Sequence, residues 1–152
     1  LLQLALAIAR SRPFLGHAVR RSGPVLFAAL EDSAIDLQEK LRRVAGDVDP
    51  RHLRGLHFID QLPRFPAGAS VIEAKLREAQ RKGQSYAAAI IDPFLAVASE
   101  RRPNTDIARA DYAEVAPLKA LAKKYDLSVI LSHHMRKTLP GMSETWYWGR
   151  QG

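Results

Sequence analysis

The 152-residue sequence contains no cysteine. Disulfides and thiolate-bound metals are thereby excluded, and a reducing, cytoplasmic setting fits. No apolar run is long enough to cross a bilayer, so no membrane partner is expected. There is no HExxH or similar spacing for zinc, and no G-x-S-x-G elbow for a serine nucleophile. No internal repeat or low-complexity tract appears. No carboxylate precedes Glu31, although Arg10, Arg12, Arg20 and Arg21 do. The opening "LLQLALAIAR" has no initiator Met, no charged lead-in and no capping residue. "LALAIA" would suit the apolar core of a signal peptide, but such a peptide also needs a start Met and a basic segment before that core. The abrupt start is more simply that of a chain entered inside a helix.

What is present is an ordinary globular balance, 47% apolar and 26% charged. It fits a single domain over residues 1–152 with a sizeable core. The net charge of +7 suits a polyanionic partner, nucleic acid or nucleotide phosphates, and equally suits a plain solvated basic surface.

Four apolar segments read as strands: Gly23 to Glu31, Leu56 to Asp60, Ser85 to Asp92 and Leu127 to His134. The first and third are continuously apolar, the pattern of strands buried on both faces. Alanine is a weak strand former, so sheet context must carry "SYAAAIID". Helical periodicity covers Leu1 to Ala9, Ser33 to Ala45, Ser70 to Lys82 and Asp106 to Tyr125. Ser33 is a candidate N-cap, and Gly46 and Gly83 are stop signals. Pro117 is expected to kink or divide the last helix. "RRPNTD" (Arg101 to Asp106) reads as a mobile loop, and "GMSETWYWGRQG" fits no element. Helices alternating with strands imply right-handed crossovers and a mostly parallel α/β sheet covered on both faces.

In such sheets, sites form beyond the carboxyl ends of the strands. Three of the strands end in polar or ionisable residues: Glu31-Asp32-Ser33, Asp92, and Ser132-His133-His134. Parallel strands bring all three to one edge. Each group also has a plainer reading. Glu31, Asp32 and Ser33 suit a helix N-terminus, and Asp92 before Pro93 suits a turn. Four apolar residues followed by Asp is also the Walker B pattern, in which the Asp serves Mg²⁺. Adjacent residues of a strand point to opposite faces, so His133 and His134 do not readily chelate one ion. Arg136 and Lys137 follow and suit either phosphate donors or a solvated basic turn.

In combination, "GPVLFAALEDSAIDLQEKLRRV", "AAAIIDPFLAV" and "DYAEVAPLKALAKKYDLSVILSHHMRK" resemble the RepA-like branch of RecA-type P-loop ATPases. This branch includes plasmid replicative helicases and mobile-element proteins described as AAA-family ATPases. The similarity runs over roughly Leu1 to Lys137. It implies a three-layer RecA-like core that binds ATP and Mg²⁺, acts on single-stranded DNA and assembles as a hexameric ring. It also implies roles for residues. Glu31 corresponds to the carboxylate that activates the attacking water, and Asp32 to a second acidic position. Asp92 corresponds to the Walker B Asp that serves Mg²⁺ through water. His134, with His133 beside it, corresponds to the γ-phosphate sensor, and Arg136 and Lys137 to the basic pair that follows.

The resemblance also accounts for the opening stretch. In that family a glycine-rich loop ending in Gly-Lys-Thr or Gly-Lys-Ser leads straight into an apolar helix. These 152 residues contain no G-x-x-x-x-G-K-[ST]. The expectation is a partial domain that starts just after that loop. It would lack the first, central strand and the last strands, would be inactive alone, and would be poorly soluble or dependent on a partner. Two other readings stay open: a non-catalytic RecA-like module that binds a partner or DNA, and a metal-dependent hydrolase using Asp92 and the histidines.

Overall fold

A computed structural model describes residues 1–46, 53–99 and 107–133, with the side chains of 107–111 excepted. The elements are α1 (Leu2–Ala9), β1 (Val25–Ala29), α2 (Ala34–Ala45), β2 (Leu56–Ile59), α3 (Ala67–Arg81), β3 (Ala88–Asp92), α4 (Ile107–Tyr125) and β4 (Ser128–Leu131). A short 3₁₀ turn, Phe94–Val97, follows β3. The strands form one sheet in the order β2-β1-β3-β4, and every pair is parallel.

Two apolar layers sandwich the sheet. Val25, Phe27 and Ala29 of β1 and Ala88 and Ile90 of β3 pack with Ala5 and Leu6 of α1 and with Leu37, Leu41 and Val44 of α2. Alternate residues Leu26, Ala28, Ala89 and Ile91 face α3 and α4 through Ile72, Leu76, Leu118 and Leu121. The result is a three-layer α/β/α arrangement, consistent with a RecA-like core. Burying each of Val25, Ile90, Ile91 and Leu118, all under 2% exposed, is worth about 1.5–3 kcal/mol. The alanines of β3 are 1–2% exposed. Their small side chains suit close packing of helices on both faces, which outweighs their weak strand propensity.

The helix ends follow local chemistry. Ser33 caps α2: its Oγ accepts from the Asp36 backbone N–H at 3.2 Å. Gly46 follows α2 with φ +62°, a backbone conformation that side chains rarely adopt. Helix α3 starts at Ala67, three residues before the expected Ser70, because Pro66 rather than a serine occupies its N-cap. Helix α4 runs unbroken through Pro117. The expected division does not occur: Leu118 and Leu121, on the turn after the proline, are buried against the sheet and hold the helix together.

β1 and β3 hydrogen-bond directly, as do β3 and β4. "RRPNTD" and the tail from 134 onward lie outside the described residues. Among the described residues, no helix is long and apolar enough to cross a membrane.

Candidate active site at the strand ends

Register places the acidic strand ends level with one another. Ala29, the last residue of β1, pairs with Asp92, the last of β3. The Leu30 N–H then donates to the Asp92 carbonyl at 2.9 Å, so the chain leaves β1 tied to the end of β3. Glu31 is the next residue. It is exposed and has no hydrogen bond or ion pair among the described residues. Asp60 closes β2 along the same edge and is also exposed.

Asp92 is half-buried, and one of its oxygens is occupied. Ser132 Oγ donates to Asp92 Oδ1 at 2.5 Å. The backbone aims that hydroxyl: Ser132 N–H donates to the Ile91 carbonyl at 3.1 Å, and the Ser132 carbonyl accepts from Phe94 N–H at 2.9 Å. The serine is thus clamped between the last turn of β3 and the residue after its cis Asp92–Pro93 bond. This leaves Asp92 with a fixed orientation and one uncommitted oxygen.

Asp32 is half-buried and engaged. Lys40 Nζ, two turns into α2, donates to Asp32 Oδ1 at 2.5 Å. That hydrogen bond, with the fields of Asp32, Asp36 and Asp92, raises the Lys40 ammonium above the usual lysine range. Asp36 is held below the usual carboxylate range, first by its hydrogen bond from Ser33 Oγ at 2.6 Å. Ser33 therefore acts as a cap, as its position suggests. Asp32 takes an ion pair across the first turns of the same helix.

Among the described residues, no group of three His, Asp or Glu side chains could hold a metal. This argues against an all-protein cage there. It is compatible with Mg²⁺, which commonly uses one or two carboxylates with water and phosphate oxygens as its other ligands. A strand-end carboxylate with a free oxygen, as at Asp92, fits that donor set. His133 is exposed just beyond β4. His134, Arg136 and Lys137 lie outside the described residues.

Of the expected site residues, the structure brings Glu31, Asp32, Asp92 and His133 to one edge. Two partners were not anticipated. In the sequence Ser132 reads only as part of a polar strand end, and Lys40 carries no signal of its own. Lys40 lies eight positions after Asp32, about two helical turns, which is a usable signal once Ser33 is accepted as the start of α2. The Ser132–Asp92 contact depends on β3 and β4 being parallel neighbours, and 40 residues separate the two.

A family model described as "AAA domain" matches residues 1–139. The chain therefore belongs to the AAA domain family, whose members are P-loop ATPase modules that bind ATP and Mg²⁺. A search of curated proteins finds no match.

Proposed function

We propose that the chain is the hydrolytic core of a RepA-like motor that couples ATP hydrolysis to movement along single-stranded DNA in plasmid or mobile-element replication, working as a hexameric ring. The carrying observation is the level alignment of the β1 and β3 ends, which sets an uncommitted Glu31 beside a fixed Asp92. Phosphoryl transfer to water needs a positioned nucleophile, a metal and donors around the leaving phosphate. Glu31 is assigned to orient the attacking water and take up its proton. Asp92, held by Ser132, is assigned to hold Mg²⁺ through water, where the ion would supply charge neutralisation for the phosphates. Asp32, held by Lys40, keeps the start of α2 in place beside them. His134 and His133 are assigned to sense the γ-phosphate, with Arg136 and Lys137 as basic donors beyond them.

These 152 residues contain no G-x-x-x-x-G-K-[ST] phosphate cradle, so by themselves they are expected not to hydrolyse ATP. A second reading is a non-catalytic module that binds a partner or DNA. Steady-state ATP hydrolysis separates the two. It is measured with Mg²⁺, with and without single-stranded DNA, on the product of the complete open reading frame. Glu31→Gln is expected to lower kcat by at least about 100-fold while nucleotide affinity changes little. A folded protein that does not hydrolyse ATP, or whose rate survives Glu31→Gln, would move the assignment to the binding module. The strand-end carboxylates would then be caps and turns.

A further inference from the structure

We propose that the N-terminal edge of the sheet, opposite the strand-end carboxylates, binds the phosphodiester backbone of a single nucleic-acid strand. The proposal places the DNA partner named above, but it does not depend on ATP hydrolysis, since a non-catalytic chain presents the same surface.

Topology gathers the charge. In a parallel sheet with helical crossovers, every helix ends at the edge where the next strand begins. The connections into β1, β2, β3 and β4 therefore share one edge. Hydrogen bonds tie them there: Val25 N–H to the Gly55 carbonyl, Ala87 N–H to the Pro24 carbonyl and Ser128 N–H to the Ala87 carbonyl. The segment between α1 and β1 brings Arg10, Arg12, Arg20 and Arg21, with no carboxylate. The last turn of α2 adds Arg42 and Arg43, and that of α4 adds Lys123 and Lys124. Arg81 at the end of α3 and Arg54 before β2 complete the edge.

Two carboxylates lie in these connections and last turns among the described residues, Glu78 and Asp126. Each is already paired, with Lys82 at 2.7 Å and with Arg21 at 3.0 Å. Arg12, Arg20, Arg42, Arg54 and Lys123 are exposed and have no carboxylate partner among the described residues. Helix dipoles alone favour cations at helix C-termini. They do not account for Arg12, Arg20 and Arg54, which lie on connections.

Arginine dominates the set. Its planar fork matches the two free oxygens of a phosphodiester and stacks on bases, as an exposed imidazole does; His17 is exposed on the same connection. An anionic bilayer shares the phosphate chemistry but is usually held by more than one signal, such as an apolar anchor beside the basic cluster. On this connection the exposed large apolar side chain is Leu15 alone. The observations therefore favour the nucleic-acid strand.

The test is fluorescence anisotropy of a labelled oligothymidylate, without nucleotide, on the full chain over a salt series. The triple variant Arg12→Ala/Arg20→Ala/Arg54→Ala is compared with Lys75→Ala/Lys119→Ala, which removes cations from the middle of α3 and α4. Circular dichroism at the assay salt confirms that each variant is folded, with the parent's far-UV spectrum and a cooperative melt. If the triple variant unfolds, Arg81→Ala/Lys123→Ala takes its place. The triple variant should bind at least about tenfold more weakly at ~0.1 M salt, and its salt slope should fall by about 2, roughly 0.7 per lost phosphate contact. The control should bind as the parent does. Equal binding by the triple variant, or an equal loss in the control, would overturn the proposal. So would sedimentation with phosphatidylserine vesicles that requires the same arginines while the oligonucleotide does not bind. Because no ATP is present, a negative here leaves the hydrolysis result to be read on its own.

Discussion

Glu73 Oε1 accepts from three donors: Lys124 Nζ at 2.7 Å, Arg77 Nη2 at 3.2 Å and Tyr125 Oη at 3.3 Å. Two of these lie on α4, so a single carboxylate joins α3 to α4 on the outer surface. The Lys124 and Arg77 hydrogen bonds hold it below the usual glutamate range. A carboxyl whose pKa is lower in the folded chain stabilises the fold above its unfolded pKa, about 4.3, and loses that contribution as pH falls through the folded value. Glu73→Gln should therefore melt at a lower temperature than the parent at neutral pH. The gap should close as pH falls through the folded value. Scanning fluorimetry across that range checks it, and a gap that stays constant to acid pH would remove the ion-pair account. At the candidate site, single residues were legible where the signal was local. Glu31 and Asp92 stand out as acids ending apolar runs, and Ser33 as a cap before a periodic stretch. Ser132's grip on Asp92 was not legible, because it depends on which strands become neighbours. His134, Arg136 and Lys137 lie outside the described residues, so their assigned roles rest on the resemblance.

At the scale of elements, the start of α3 has little room. A Cβ built on Gly68 would sit 2.5 Å from the Pro63 carbonyl oxygen and 3.3 Å from Phe65 Cε2. Two effects oppose each other in Gly68→Ala. Alanine gains up to about 1 kcal/mol of helix propensity, less in the first turn. Overpacking costs about 1–3 kcal/mol, and here the obstacle is a backbone oxygen that cannot rotate away. Net destabilisation of about 1–2 kcal/mol is expected, read as a lower denaturant midpoint at unchanged m-value. A more stable Gly68→Ala would show that the 63–65 segment yields. Most of the fold was legible at this scale. All four strands and all four helices lie where continuous apolar runs and helical periodicity placed them, with ends shifted by a few residues. The misses have separate causes. The start of α3 follows Pro66 at its N-cap, whereas burial of Leu118 and Leu121 against the sheet carries α4 through Pro117. Strand order was not legible either.

For the whole molecule, the net charge of +7 matters less than how it is divided. Glu31, Asp32, Asp60 and Asp92 lie at the carboxyl ends of the strands, and arginines with no carboxylate partner among the described residues lie at the other edge. Two opposing salt effects follow. The exposed ion pairs, such as Arg21–Asp126 with side chains 47% and 88% accessible, contribute about 0–1 kcal/mol each and weaken as salt rises. Repulsion among the edge cations also weakens with salt. Two like charges 10 Å apart in water repel by about 0.4 kcal/mol, so several cations sharing one edge accumulate roughly 1–3 kcal/mol at low ionic strength. The Debye length shortens from about 30 Å at 0.01 M to below 10 Å above 0.1 M, which removes most of that repulsion. Relief of repulsion should win. Tm is expected to rise by a few degrees between ~10 mM and ~300 mM NaCl, since about 1 kcal/mol moves a domain of this size by roughly 2–4 °C. Arg12→Ala/Arg20→Ala/Arg54→Ala should flatten the rise, because the repelling charges are then fewer. A Tm that falls with salt in the parent would mean that the ion pairs outweigh the edge repulsion, and the charge division would then have no cost to fold stability.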